Sequence, residues 1–389
     1  MTRRALALLV VLSVVVGGVP AAADEPEVTA RGAVLWDAAD DRVLWGHNER
    51  EGLPPASTTK IMTVLLALEA GAVDETVTVS AEAVETGRRP GAATLGLTEG
   101  QQIPMRSLLA GLMLRSGNDA AVAVAEHVAG SEAAFVEKMN ARAGELGMDA
   151  TNFLNASGLT DDPDHRASAL DLARLADLAM ADDDFAEWAG APAMDVPGLG
   201  RLESRNELLS RYDGATGVKT GYTNVAGLCL VGSARRGARP LIAVVLGSTG
   251  GLGAGTSFTD TIAVLEHGYD DWRRPRPVRR SRPVVPYRWA DAAVRLTPDD
   301  TLARTVAADE SAVWRVRLSP VAPRPVEQGA PLGVAELLVE GAVIDTTPLR
   351  AVRAVAGPDE SREAAARAGG ALQEALRGFA RVYVRDRDA

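Results

Sequence analysis

Between Arg273 and Pro286 the chain reads RRPRPVRRSRPVVP. Four prolines there withdraw backbone donors and forbid a helix, and six arginines repel one another. No hydrophobic core can be threaded through such a stretch. Residues 273–286 are therefore predicted to be a stiff linker between two folded units, for which 389 residues are ample. Its arginines could also touch an anionic wall polymer or lipid, against the plainer reading of a solvated connector.

The larger unit, 24–272, begins with β-prone runs at 33–37 and 42–46 joined by an acidic turn, the pattern of a hairpin. Pro54 and Pro55 end the extended chain, and 57–70 continues as an apolar helix. Helical stretches follow at 105–114, 119–129, 132–146 and 168–180. Three strands, 217–221, 226–234 and 240–247, precede a helix over 257–269. Strands on both sides of a helical insertion imply an α+β fold whose sheet is completed by distant segments. Beyond the linker, short β-prone runs at 313–318, 334–339 and 343–345 predict a small all-β domain, 287–357. The tail, 358–389, spaces Ala365, Ala368, Leu372, Leu376, Phe379 and Tyr383 at steps of three and four. That pattern gives an amphipathic helix over 360–383, suited to a membrane surface or to docking on the protein.

The N-terminus joins Arg3 and Arg4 to an apolar run, 5–16, and ends in small residues at Ala21, Ala22 and Ala23. This is the layout of an export signal, 1–23, removed before Asp24. A retained anchor is the alternative, although the apolar run falls short of the roughly 20 residues that a spanning helix needs. Loss of Arg3 and Arg4 takes the net charge from −11 to −13, which argues against nucleic acid as a partner. Cys229 is the sole cysteine and lies in an apolar run, so it reads as a small buried hydrophobe. The histidines, His47, His127, His165 and His267, have no metal-ligand spacing, and neither a metal nor a cofactor is expected.

The 41 basic residues contain only three lysines, Lys60, Lys138 and Lys219. A chain that takes its positive charge from arginine keeps lysine where an ammonium must be able to lose its proton. Lys138 lies in a charged helical stretch and reads as surface. Lys60 closes Ser57-Thr58-Thr59-Lys60, in which a hydroxyl and an amine three residues apart share one helical face. A serine becomes nucleophilic when a neighbouring base takes its proton, and lysine can do so if burial or a second cation lowers its pKa. Taken singly the pair is common, and capping explains most such serines. Ser116-Gly117-Asn118 adds a hydroxyl and an amide on a tight turn, and Lys219-Thr220-Gly221 opens a strand. In the order SxxK, SxN, KTG they form one constellation, which penicillin-binding proteins and class A β-lactamases carry.

The chain resembles the low-molecular-mass penicillin-binding D-alanyl-D-alanine carboxypeptidases, the S11 serine peptidases. The blocks LPPASTTKIMT, MLRSGNDAAVAVAEHVAG, NASGL, HRASALDLARLA and VKTGYTNVAGLCLVGSARRGARPLIAVVLGS follow that family's order over about 30–270, and more loosely through 355. The resemblance implies a penicillin-binding/β-lactamase-like catalytic domain with an antiparallel sheet flanked by helices, then a small β domain and an anchoring helix. It implies Ser57 as the acylated nucleophile, Lys60 as its base, Ser116 as a proton relay and Asn118 as the group positioning Lys60 and the substrate amide. Lys219 would keep Lys60 deprotonable, Thr220 would bind the terminal carboxylate with Arg205 in support, and Gly221 would let the substrate backbone approach. The N–H groups of Ser57 and Tyr222 would form the oxyanion hole.

Tyr222 stands where many relatives have histidine, and 151–156 lacks the acid that drives deacylation in a β-lactamase. The implied partners are the peptidoglycan stem peptide and β-lactam antibiotics as covalent inhibitors, met outside the cell at the outer face of the cytoplasmic membrane. The expected activity is D-Ala-D-Ala carboxypeptidase. Endopeptidase or transpeptidase activity and a penicillin-binding sensor without turnover are the alternatives.

Overall fold

The computed structural model of the chain describes residues 25–275, 285–289, 292–318, 325–355 and 381–384. The expected export signal, 1–23, lies outside the described residues. β1 (Gly32–Asp37) and β2 (Arg42–His47) form the expected hairpin. A 3-10 turn over Ala56–Thr59 leads into α1 (Lys60–Glu69), so Ser57 sits in a tighter turn than the α-helical one its sequence suggested.

The helical insertion contains β3 (Thr76–Thr78), α2 (Ala81–Arg88), β4 (Gln102–Pro104), α3 (Met105–Arg115), α4 (Asn118–Ala129), α5 (Glu132–Glu145), α6 (Ala169–Ala179) and α7 (Asp183–Gly190). Ser80, Ser131, Ser168 and Asp182 start α2, α5, α6 and α7, each side chain accepting a first-turn backbone N–H. The hairpin β5 (Ala193–Val196) and β6 (Gly200–Glu203) and the short α8 (Leu208–Arg211) lead back to the sheet. There β7 (Ala215–Thr223), β8 (Gly227–Arg236) and β9 (Arg239–Ser248) run antiparallel before α9 (Thr256–Asp270).

This first sheet has the order β2-β1-β9-β8-β7, so N-terminal strands pair with strands two hundred residues later. Both its faces are buried, and side chains alternate between them as the pleat requires. Val34, Trp36, Val231, Ile242, Val244 and Leu246 face the helical insertion. Ala33, Leu35, Leu230, Leu241, Ala243 and Val245 face α9 through Phe258, Val264 and Leu265. A one-residue slip of any strand would exchange these two sets, which pins the register of β7.

The C-terminal part is built from β10 (Trp272–Arg273), β11 (Val285–Trp289), β12 (Ala292–Pro298), β13 (Val306–Ala307), β14 (Ala312–Leu318), β15 (Pro331–Val339), β16 (Ala342–Ala351) and β17 (Arg381–Val384). Six of them make an antiparallel sheet of order β11-β12-β16-β15-β14-β17, over a separate core that includes Val294, Leu296, Trp314, Val316, Leu337 and Leu349.

One expectation meets a different outcome here. The predicted tail helix lies outside the described residues except for its end, where Arg381–Val384 forms a strand on β14. Val-Tyr-Val is a β-prone run, and pairing with an open strand outweighed the helical spacing of Tyr383. At the start of the linker, Arg273 pairs in a two-stranded ladder and Arg274 Nη2 lies 2.8 Å from the buried Asp40 carboxylate in the β1–β2 turn. Asp40 also accepts the Thr305 N–H, and Arg42 donates to the Thr305 carbonyl. The first linker arginines are thus bonded between the two parts. Among the described residues no helix is long and apolar enough to cross a membrane.

Candidate active site

The site forms where the turn before α1, the turn before α4 and strand β7 converge. Ala56 adopts φ +48, a left-handed conformation costly for a residue with a side chain, and this turns Ser57 toward the cleft at the start of α1. Ser57 is half-buried, whereas Lys60 is fully buried. The Lys60 Nζ lies 2.9 Å from Ser57 Oγ, 2.7 Å from Asn118 Oδ1 and 2.5 Å from the Ser157 carbonyl oxygen.

Burial pushes the Lys60 pKa well below its ordinary value, and the positive charges of Lys219 and Arg205 push it further, against a smaller pull from Asp119. A neutral amine has two N–H donors and one lone pair. Asn118 Oδ1 and the Ser157 carbonyl, which can only accept, take the two donors. The lone pair is left for the third neighbour, the Ser57 hydroxyl.

Ser116 caps α3 in the left-handed region at φ +65, and its buried Oγ has no hydrogen-bond partner among the described residues. Lys219, on β7, is equally buried and donates to the Thr220 carbonyl at 2.9 Å. Burial first, then Arg205, lowers its pKa to about 7. Gly221 lies against the nucleophile turn: a Cβ there would stand 3.0 Å from the Pro55 carbonyl oxygen and 3.1 Å from the Ser57 nitrogen. Thr220 and Tyr222 are half-buried on either side of it, and Tyr222 donates its hydroxyl to Asn224 Oδ1 at 3.1 Å. Cys229 is opposite Gly221 in the ladder, buried, with its thiol pushed up to about 12 by desolvation.

Arg205 joins this group from the segment after β6, its backbone N–H bonded to the Leu114 carbonyl at 3.0 Å. Desolvation lowers its pKa, and the nearby positive charge of Arg115 lowers it further. Arg115 itself donates to the Glu203 carbonyl at 3.5 Å. All nine sequence-predicted site residues, Ser57, Lys60, Ser116, Asn118, Arg205, Lys219, Thr220, Gly221 and Tyr222, therefore lie on the segments that converge at this cleft.

Sequence reasoning gave no role to the groups that hold the cleft together. The NASGL block supplies the Ser157 carbonyl, and its turn is fixed by Asn155 Oδ1, which accepts from the Ser157 and Gly158 N–H groups. Gly158 is obligatory: its φ is +76, and a Cβ would fall 1.9 Å from the Ala56 carbonyl oxygen. Asp119, next to Asn118, accepts from the Thr94 hydroxyl and from the Leu95 and Leu97 N–H groups, tying the loop after α2 to the SxN turn. The tight Asn-Ala-Ser-Gly sequence was the one signal for the first of these; a backbone carbonyl leaves none.

A family profile described as D-alanyl-D-alanine carboxypeptidase, Peptidase_S11, matches residues 19–250. The chain belongs to the S11 peptidase family. Within that family it is 30% identical to D-alanyl-D-alanine carboxypeptidase DacF of Bacillus subtilis over 335 residues, covering 83% of this chain and 85% of DacF. It is 32% identical to DacC of Escherichia coli, covering 84% of each chain. Among solved structures, penicillin-binding protein 5 of Haemophilus influenzae superposes with a TM-score of 0.67 at 26% identity, over 85% of this chain and 99% of that one. A mutant of a Streptomyces DD-transpeptidase gives 0.59 at 29% identity, over 63% of this chain and 99% of its own. The S11 fold thus accounts for the α+β unit, and the longer matches extend into the C-terminal β sheet.

Proposed function

We infer that this chain is a serine-type, penicillin-binding D-alanyl-D-alanine carboxypeptidase that removes the terminal D-alanine of peptidoglycan stem peptides. The observation that carries this is the buried Lys60 Nζ, 2.9 Å from Ser57 Oγ and held by two groups that can only accept, Asn118 Oδ1 and the Ser157 carbonyl, so that in the neutral amine the lone pair is left for Ser57. In the proposed reaction Lys60 Nζ takes the Ser57 proton as Oγ attacks the carbonyl carbon of the penultimate residue. The oxyanion is received by the N–H groups of Ser57 and Tyr222, a role supported by the close approach of Gly221 to the Ser57 nitrogen. Ser116 passes a proton to the departing amine, Asn118 orients Lys60 and the substrate amide, and the peptide bond breaks to leave acyl-Ser57 and free D-alanine. Water then hydrolyses the ester.

Thr220 and Arg205 bind the terminal carboxylate, and Lys219 keeps Lys60 deprotonable. A β-lactam carries the same carboxylate and a reactive amide, and it acylates Ser57 in the same way. Because 151–156 offers no deacylating acid, the drug leaves slowly. The chain is proposed to act outside the cytoplasmic membrane, supported by the signal-like N-terminus, with 24–272 as the catalytic domain, 273–286 as a linker, 287–357 as the β domain and 358–389 as a tail that could touch the membrane.

Fluorescent penicillin tests the reading directly. Wild-type protein should become labelled at Ser57 and Ser57→Ala should not, and an unlabelled wild type would refute it. The likeness to a DD-transpeptidase keeps a second reading open, cleavage or formation of cross-links. D-alanine release from a pentapeptide with a cross-linked dimer left intact would favour the carboxypeptidase.

A further inference from the structure

His165 is buried at 2% exposure, eleven residues beyond Leu154 and far in sequence from the nucleophile, and the reaction above does not use it. Both its ring nitrogens are engaged. The Leu154 backbone N–H donates to Nδ1 at 2.9 Å, and Nε2 lies 2.9 Å from Thr59 Oγ1. A backbone N–H can only donate, so Nδ1 carries the lone pair, and the single proton of a neutral ring is on Nε2, donated to Thr59. The Phe153 ring meets the imidazole edge-on with centroids 6.0 Å apart.

These bonds join two segments that must be in register. Thr59 immediately precedes Lys60, and Leu154 begins the turn that presents the Ser157 carbonyl to Lys60 Nζ. We propose that His165 is a positioning residue, which fixes the lysine between its carbonyl acceptor and the nucleophile by bridging the 154–158 turn to the start of α1. This rests on the reading of Lys60 as base. A neutral ring is what the place demands, since a proton on Nδ1 would face the Leu154 N–H. Burial acts first and Lys60 adds to it, both disfavouring a second proton, against a smaller pull from Asp162, and together they lower the pKa to about 4.

The test compares His165→Leu with His165→Gln, because glutamine offers an acceptor for Leu154 and a donor for Thr59 on one side chain. His165→Leu should acylate with penicillin about 100-fold more slowly, the cost of a small misplacement of reacting groups, with little change in KM for the peptide. His165→Gln should recover most of that rate. Equal rates in wild type and His165→Leu, or a His165→Gln variant as slow as His165→Leu, would overturn the proposal. Failure of the wild type itself to acylate would instead remove the reading of Ser57. Should His165→Leu fail to fold, nitrogen NMR on the wild type decides, with the signal assigned by its loss in His165→Gln. A neutral ring protonated at Nε2 at neutral pH is expected, and an Nδ1-protonated or cationic ring would overturn the inference.

Discussion

In the C-terminal sheet Glu336 is buried at 1% exposure between Arg315 and Arg317, each 2.5 Å from a carboxylate oxygen. In the cleft Lys60 and Lys219 are buried as completely, and among the described residues neither forms an ion pair with a carboxylate. The first arrangement returns part of the desolvation cost as attraction. The second leaves the cost standing, and the lysines respond by giving up protons more readily. Among the described residues, the two buried ammonium groups without a carboxylate partner thus lie where a neutral amine is useful.

The contrast can be broken most severely at Lys60. Lys60→Arg keeps the charge but cannot accept a proton, so penicillin acylation should fall by about 10³-fold while the circular dichroism spectrum is unchanged. Retained acylation would remove the base assignment. On the balanced side, Glu336→Gln leaves two guanidiniums without their counter-charge. It should cost roughly 2–3 kcal/mol of stability, discounted for the half-exposed Arg317, in urea titrations, with no loss of acylation.

A smaller effect concerns pH. Lys219 titrates at about 7 in the folded chain against an ordinary 10.5. Between those values the unfolded chain binds the proton more tightly, so the penalty is fully present below about 7 and fades as the pH rises toward 10.5. Stability should climb across that window, and Lys219→Met should flatten the climb in urea midpoints measured at several pH values. Least affected is Arg115→Gln, which removes a cation near Arg205 and should raise KM for an acidic-ended peptide by about threefold at low salt, an effect that salt erases.

Much of this arrangement was legible in the sequence because its signals are local. The three motifs, the lysine scarcity and the extended runs that became β7, β8 and β9 needed only neighbouring residues. The eight-residue helices α2 and α7 are too short for a 3.6-residue period to stand out, and β17 was hidden under a helical spacing that pairing overrode. In the cleft, the Ser157 carbonyl has no side-chain signature. His165 meets Thr59 across 106 residues of chain, a juxtaposition that the topology makes and no spacing rule anticipates.

β7 is the outermost strand of its sheet, with only β8 bonded along one side. A bare strand edge invites another chain to add to it and so threatens aggregation. Here the edge is flanked: α7 closes on its beginning, where a Cβ on Gly217 would stand 3.1 Å from Ala189 Cβ, and the Ser57 turn closes on Gly221. Between these two contacts lie only Val218, Lys219 and Thr220, a shorter run than the five or six residues of a usual strand. The walls that frame the cleft also deny its edge to another copy of the chain.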